Sequence, residues 1–149
     1  MSNIYPVILL YVFVIGICIG SFLNVVILRG LSGENIVIAR SKCPKCNNQL
    51  KWYMNIPLLS YIFLKGKCAF CKEKISIQYP IIEFITGVSF LGSYLVFGLS
   101  LKTLFVCIFL CCFIVLATTD ILETVIIELH TYILLAAALL YSFLNLGEV

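Results

Sequence analysis

Long uncharged stretches dominate the chain, and one extended polar segment interrupts them. Uncharged residues run without a break through 4–28, 84–101, 103–119 and 131–147. At ~1.5 Å per residue, even the shorter runs span roughly 26 Å as helices, close to the ~30 Å hydrocarbon core of a bilayer. The pattern predicts about four transmembrane helices, with Lys102 in a tight hairpin between the second and the third. The alternative is one long, kinked helix through that hairpin.

The composition agrees with this pattern, because 62% of the 149 residues are hydrophobic and 11% are charged. A soluble domain is closer to a quarter charged, so the solvent around most of this surface must be lipid. The predicted fold class is an all-α polytopic membrane protein with a small polar loop. It divides into a first transmembrane helix at 1–28, the polar loop at 29–78 and further transmembrane helices at 79–149.

The distribution of charge predicts the orientation in the membrane. Residues 29–78 hold nine of the ten basic residues but only two of the seven acidic ones. Because loops rich in Lys and Arg stay in the cytoplasm, this loop is predicted to be cytoplasmic and the N-terminus to lie outside. The expected location is the cytoplasmic membrane, spanned several times. The same bias accounts for the positive charge of the loop without a nucleic-acid partner.

Four cysteines of the loop form two Cys-x-x-Cys pairs with 21 residues between them, namely Cys43, Cys46, Cys68 and Cys71. Two such pairs can converge on one tetrahedral Zn²⁺, and four thiolates leave no open position, so the predicted zinc is structural. Neighbouring lysines favour the thiolate form. Two disulfides are the alternative, which a reducing cytoplasm disfavours. The loop is therefore predicted to be a small, zinc-ribbon-like unit.

The apolar runs carry two further expectations. Gly16 and Gly20, with Asn24 one turn later, predict close packing against another helix, because small residues let backbones approach and an amide can donate across the contact. The cysteines inside the apolar runs are expected to be small core residues. They are Cys18, Cys107, Cys111 and Cys112.

Asp120 is the only aspartate among the 149 residues, and it stands at the predicted cytoplasmic end of the third run. An ionisable group at membrane depth is costly and is usually functional. At the edge of the membrane, however, a carboxylate can also reach water or cap the next helix, so position alone leaves both interpretations open. Three polar residues follow in the same short segment, namely Glu123, Glu128 and His130.

Three sequence motifs indicate a family. The first is Gly-Ser-Phe-Leu-Asn at 20–24, and the second is the four-cysteine loop with Asn-Ile-Pro-Leu-Leu-Ser-Tyr at 55–61, continuing to Thr-Gly at 86–87. The third is Thr-Asp at 119–120. Together they resemble the bacterial prepilin leader peptidase family, whose members also N-methylate their product. The similarity covers 20–87 nearly continuously.

This resemblance implies an aspartic endopeptidase that works at the cytoplasmic membrane face, with Asp120 as one of two catalytic carboxylates. One carboxylate activates a water and the other, protonated, polarises the scissile carbonyl. The resemblance also implies prepilin or pseudopilin substrates and S-adenosylmethionine as the methyl donor.

The sequence departs from the family pattern in three ways. It has no Gly-x-Gly-Asp motif with a second aspartate, it has Ile127-Glu128 where the family has Pro-Asp, and the family's later membrane segments do not follow. We therefore expect a truncated member that is inactive alone and that a complementary C-terminal chain completes, unless Glu123 or Glu128 replaces the missing aspartate. The alternative is a non-catalytic, membrane-anchored zinc-binding module or a decayed remnant of the family.

Overall fold

The computed structural model describes residues 4–33, 41–123, 135–136 and 138. Its helices are α1 (Ile4–Ser32), a single 3-10 turn (Trp52–Asn55), α2 (Leu59–Phe63), α3 (Gln78–Phe97) and α4 (Leu101–Glu123). Across these residues the β pairing consists of two isolated bridges in the loop, and no strand forms. The predicted all-α class is confirmed.

Three helices are long and apolar enough to cross a membrane, at Tyr5–Ser32, Gln78–Phe97 and Leu101–Leu122. Large apolar side chains on all three are exposed, which suits contact with lipid. The first of these helices extends past the uncharged run to Ser32, and Arg29 lies in its last turn, where a cation complements the helix dipole. The predicted fourth helix, at 131–147, falls outside the described residues apart from 135–136 and 138.

A tight turn separates α3 from α4. Gly98 has a φ of +63°, and its N–H donates to the carbonyl of Tyr94 at 2.8 Å, which ends α3. Two residues later, the side-chain oxygen of Ser100 accepts the N–H of Thr103 at 3.3 Å and so caps the start of α4. The predicted hairpin around Lys102 is confirmed, and the alternative of one long kinked helix is wrong.

Helix α1 packs chiefly against α3, and small residues make the contact. A Cβ built on Gly16 would lie 2.7 Å from the Cα of Gly87, and one built on Gly20 would lie 2.8 Å from the Cα of Glu83. Neither glycine could carry a side chain without moving backbone. The partners run in opposite directions along the two helices, so α1 and α3 are antiparallel. The predicted glycine packing is confirmed.

The same face continues to the loop end of the bundle, where the buried Asn24 donates through Nδ2 to the backbone carbonyl of Tyr79 at 3.2 Å. Beneath it, α1, α3 and α4 share an apolar core. This core consists of Leu23, Ile27, Ile82 and Val115. Next to the loop, the ends of all three helices line one cleft. Its residues are Leu28, Leu31, Ser32, Gln78 and Leu122.

The cysteines of the apolar runs differ from one another in exposure. Cys107 and Cys112 are buried and Cys111 is half-buried, as expected of core residues. Cys18 is exposed, so the prediction is wrong for this residue. The reason is helical geometry, because a residue two positions from both Gly16 and Gly20 lies on the opposite face of α1 from the contact with α3.

Candidate metal centre and catalytic carboxylate

The two Cys-x-x-Cys pairs sit in two copies of one short hairpin. In each copy the N–H of the first cysteine donates to the carbonyl five residues later. These bonds are Cys43 to Asn48 at 3.0 Å and Cys68 to Glu73 at 2.8 Å. One step outward, each hairpin is closed by an isolated antiparallel bridge, Lys42 with Gln49 and Lys67 with Lys74. We call these two hairpins, 42–49 and 67–74, the knuckles.

A left-handed residue follows the second cysteine of each knuckle. Asn47 has a φ of +56° and Lys72 a φ of +61°, and their N–H groups donate back to the carbonyls of Cys43 and Cys68 at 2.9 and 3.1 Å. Asn tolerates this conformation, whereas for Lys it costs about 1 kcal/mol. The hydrogen bonds of the second knuckle must therefore hold Lys72 in this conformation.

The knuckles bring all four thiols together. The sulfur atoms of Cys43, Cys46, Cys68 and Cys71 lie within 4.8 Å of one another, and those of Cys43 and Cys71 are 3.9 Å apart. Four sulfurs at ~2.3 Å from a tetrahedral zinc stand roughly 3.8 Å apart, whereas a disulfide needs about 2.05 Å. The cluster therefore has the donor set and the spacing of a structural zinc site.

The electrostatics of the cluster favour a bound cation. The backbone N–H groups of Cys71 and Phe70 point at the sulfur of Cys68 and lower the pKa of that thiol to about 6. At Cys71 the backbone N–H of Glu73 also lowers the pKa, but burial and the adjacent sulfurs outweigh it and raise the pKa to about 11. Without a metal, a thiolate at Cys68 therefore disfavours a second thiolate at Cys71. A divalent cation would offset the repulsion between the two negative charges.

Glu83 ties the loop to the helices, a role that the sequence did not predict. Its side chain is almost fully buried, it hydrogen-bonds with Ser21, and its Oε2 accepts the N–H of Leu58 at 2.7 Å. Leu58 has a φ of +58°, which is strained for a branched residue, and the hydrogen bond to Glu83 accompanies this conformation. The sequence held one indication of this role, namely an acidic residue in the second turn of a largely apolar helix.

Asp120 lies in the last turn of α4, and its side chain is exposed. The hydroxyls of the two preceding threonines bond within their own helix, Thr118 to the carbonyl of Ile114 at 2.7 Å and Thr119 to that of Leu116 at 3.0 Å. Asp120 stands two residues before the cleft residue Leu122, so it is at the end of the bundle that carries the loop.

The other candidate carboxylates are less fully described. Glu123 ends α4, three residues after Asp120. Glu128 and His130 fall outside the described residues. The structure thus brings the four cysteines together and places Asp120 at the same end of the bundle on a different element.

Membrane-length helices that flank a loop with four converging cysteines, which could hold a metal ion, define a class of helical membrane protein with a zinc-ribbon-like unit. Residues 14–97 match the family described as the bacterial peptidase A24 N-terminal domain. This match covers more than half of the chain, and the chain belongs to that family. The resemblance predicted from the motifs is confirmed.

Several curated relatives carry the name prepilin leader peptidase/N-methyltransferase. The protein from Myxococcus xanthus is 46% identical over 93 residues, which cover 62% of this chain and 28% of that protein. The one from Neisseria gonorrhoeae is 41% identical over 101 residues, 52% of this chain and 35% of that protein. The one from Bacillus subtilis is 37% identical over 109 residues, 73% and 44%. The chain therefore spans less than half the length of these relatives, and no solved structure matches it significantly.

Proposed function

We propose that this chain forms the N-terminal, membrane-embedded part of a prepilin leader peptidase/N-methyltransferase. Such an enzyme removes the leader of type IV prepilin-like proteins at the cytoplasmic face of the membrane and methylates the new N-terminus. The observation that carries the proposal is the family match over residues 14–97, which includes both knuckles and the α1–α3 contact. The names of the relatives supply the activity.

In this proposal the four-cysteine cluster holds one structural Zn²⁺ through Cys43, Cys46, Cys68 and Cys71. Four thiolates fill the coordination sphere and leave no place for a water or a substrate, so the metal serves to fix the loop. The convergence of the four sulfurs supports this assignment.

Asp120 is proposed as one of two catalytic carboxylates. An ionised carboxylate removes a proton from the attacking water while a protonated partner donates to the scissile carbonyl oxygen, and a tetrahedral diol forms. Collapse of the diol breaks the C–N bond as the amine takes a proton. Because the 149 residues contain no other aspartate, a complementary C-terminal segment or chain would supply the partner. S-adenosylmethionine would then give its methyl group to the released amine.

The proposed setting is the cytoplasmic membrane, which the chain crosses several times. Residues 1–28 form the first transmembrane part, 29–78 the cytoplasmic loop and 79–149 the opening of the peptidase domain. The length and apolarity of three helices support this division.

A second candidate function follows from the single aspartate. A chain with one catalytic carboxylate can persist as a non-catalytic, membrane-anchored zinc-binding module, or as a decayed remnant of the family. Such a module would keep the metal site and the helix contact but have no hydrolytic activity.

A processing assay separates the two functions. Expressed alone in a host deleted for its own peptidase, the chain should leave a prepilin uncut. Co-expression with the C-terminal part of a relative should restore cleavage. In that co-expressed pair, Asp120→Asn should lower the cleavage rate by about 10²–10⁴-fold, whereas the matched control Glu123→Gln should leave it unchanged. Robust cleavage by the chain alone would refute the need for an outside carboxylate. Failure of every complementing segment would favour the module.

A further inference from the structure

The short helix α2 presents its apolar side chains outward. Leu59, Ile62 and Phe63 are 51%, 66% and 80% exposed, and their spacing places them on one face of the helix. Tyr61 points the other way, because a Cβ on Gly66 would come within 2.9 Å of its hydroxyl oxygen. Helix α2 thus packs on its tyrosine side, and within the part of the chain that the structure describes the side with Leu59, Ile62 and Phe63 is left exposed.

The residues just before α2 have the composition of a membrane interface. Trp52 is 81% exposed, and its ring meets that of Tyr53 edge to face at 5.7 Å. The ammonium of Lys51 lies 5.9 Å from the centre of the Tyr53 ring. Trp and Tyr concentrate where apolar chains meet headgroups, because each ring has an apolar body and a polar edge.

The hydrogen bond between Leu58 and Glu83 fixes the depth of this segment. Leu58 directly precedes α2, and Glu83 stands five residues into α3, about 7.5 Å along its axis. Because α3 is long and apolar enough to span a membrane, α2 begins level with the first two turns of a spanning helix. An exposed apolar face at that depth would contact lipid rather than bulk water.

The charge of the segment matches an anionic lipid surface. Lys51 precedes the aromatic pair, Lys65 follows α2, and both are exposed. Lysine stems can lie along apolar chains while their ammonium groups reach lipid phosphates.

We propose that segment 51–65, the loop anchor, docks into the headgroup region of the leaflet that borders the loop. Leu59, Ile62 and Phe63 insert toward the acyl boundary, and Lys51 and Lys65 contact anionic phosphates. This role is independent of peptidase activity and goes beyond the proposed function. Since the knuckles lie on either side of the loop anchor in the chain, docking would hold the metal site against the membrane beside the loop ends of α1, α3 and α4.

The chain carries its own reporter, because Trp52 is its only tryptophan. We would reconstitute the full chain into phosphatidylcholine vesicles with brominated acyl chains, with and without phosphatidylglycerol. The fluorescence of Trp52 should be quenched by the brominated lipid and shielded from iodide in the water, and more so with phosphatidylglycerol. Full quenching by iodide with none from the brominated lipid would overturn the proposal.

A variant pair then tests the apolar face itself. Replacing Ile62→Ser together with Phe63→Ser should lower quenching by brominated lipid by at least about twofold. The control Leu99→Ser removes an even more exposed apolar side chain, 95% exposed in the turn between α3 and α4, and should leave the quenching of Trp52 unchanged. Equal quenching in the double variant would contradict lipid docking. Protection of Trp52 from iodide only when an apolar peptide is added would also contradict lipid docking. The exposed face of α2 would then be a peptide-binding site.

Discussion

At the scale of single residues, a few polar atoms in apolar surroundings join separate elements. The amide of Asn24 donates to the carbonyl of Tyr79 on α3, and the carboxylate of Glu83 accepts the N–H of Leu58 in the loop. A buried polar group that loses its hydrogen-bond partner costs about 1–3 kcal/mol. Each of these hydrogen bonds therefore favours the observed packing of the two elements over packings in which the bond is broken. The four cysteine sulfurs do the same for the loop, through the metal that they are proposed to bind.

The metal prediction belongs to this scale. Cys43→Ser removes one of four thiolates, and the zinc content of purified protein should fall from about one per chain to a small fraction, because three ligands leave an open site. Elemental analysis after dialysis against a mild chelator would measure it. Cys18→Ser changes an exposed thiol of α1 outside the cluster and should leave the content unchanged. Metal-free wild-type protein with four reactive loop thiols would contradict the assignment.

The sequence could predict the cysteine cluster but not the contact of Glu83. Paired Cys-x-x-Cys motifs encode a knuckle locally, so spacing alone indicated which residues converge. The acceptor of the Leu58 N–H is 25 residues away, and Leu58 reaches it with a positive φ in a residue type that gives no sign of one. Tertiary contacts of this kind leave no periodic pattern in the chain.

At the scale of elements, the contact between α1 and α3 depends on the absence of side chains. Helices in lipid gain little from burying apolar surface against each other, so close backbone approach and dispersion must hold them together. The uncharged runs predicted the long helices for a simple reason, since bilayer thickness fixes their length. They could not predict α2, which has five residues and is joined to α3 through Leu58.

Alanine substitutions at two glycines test this contact. Gly16→Ala puts a Cβ 2.7 Å from the backbone of Gly87 and should destabilise the protein by about 1–3 kcal/mol, because backbone must shift. Gly92→Ala, in α3 with open space around its Cβ, should be neutral or up to about 1 kcal/mol stabilising through helix propensity. Thermal unfolding in detergent would compare them. Equal midpoints for both variants would show that the glycine contact does not matter.

At the scale of the whole molecule, the alternation of helix directions gathers the functional candidates at one end. Helices α1 and α3 are antiparallel and α4 turns back after Gly98, so the loop and Asp120 share a side of the bundle. The positive charge of the loop predicts that this side is cytoplasmic. Metal site and carboxylate would then face the same compartment.

Trypsin can test that orientation, because nine of the ten basic residues lie in 29–78 and the tenth is Lys102 at the opposite end. Added outside to spheroplasts, trypsin should spare the loop, whereas in inverted vesicles it should cut there. Cleavage at Lys102 should show the reverse preference and serves as the internal control. Loss of the loop in intact spheroplasts would reverse the topology.

The antiparallel crossing of α1 and α3 has a thermodynamic consequence for the metal. The loop leaves one of these helices and returns on the other, so their packing holds its two ends near each other and removes part of the entropy that closing the loop would cost. If a metal binds, the coupling is reciprocal: the bound metal would stabilise the helix contact by the same free energy by which the helix contact stabilises metal binding. If the cluster binds the proposed zinc, the state of the membrane and the occupancy of the metal site are coupled. A lipid phase that loosens the glycine contact would then weaken zinc affinity, and chelation would loosen the contact.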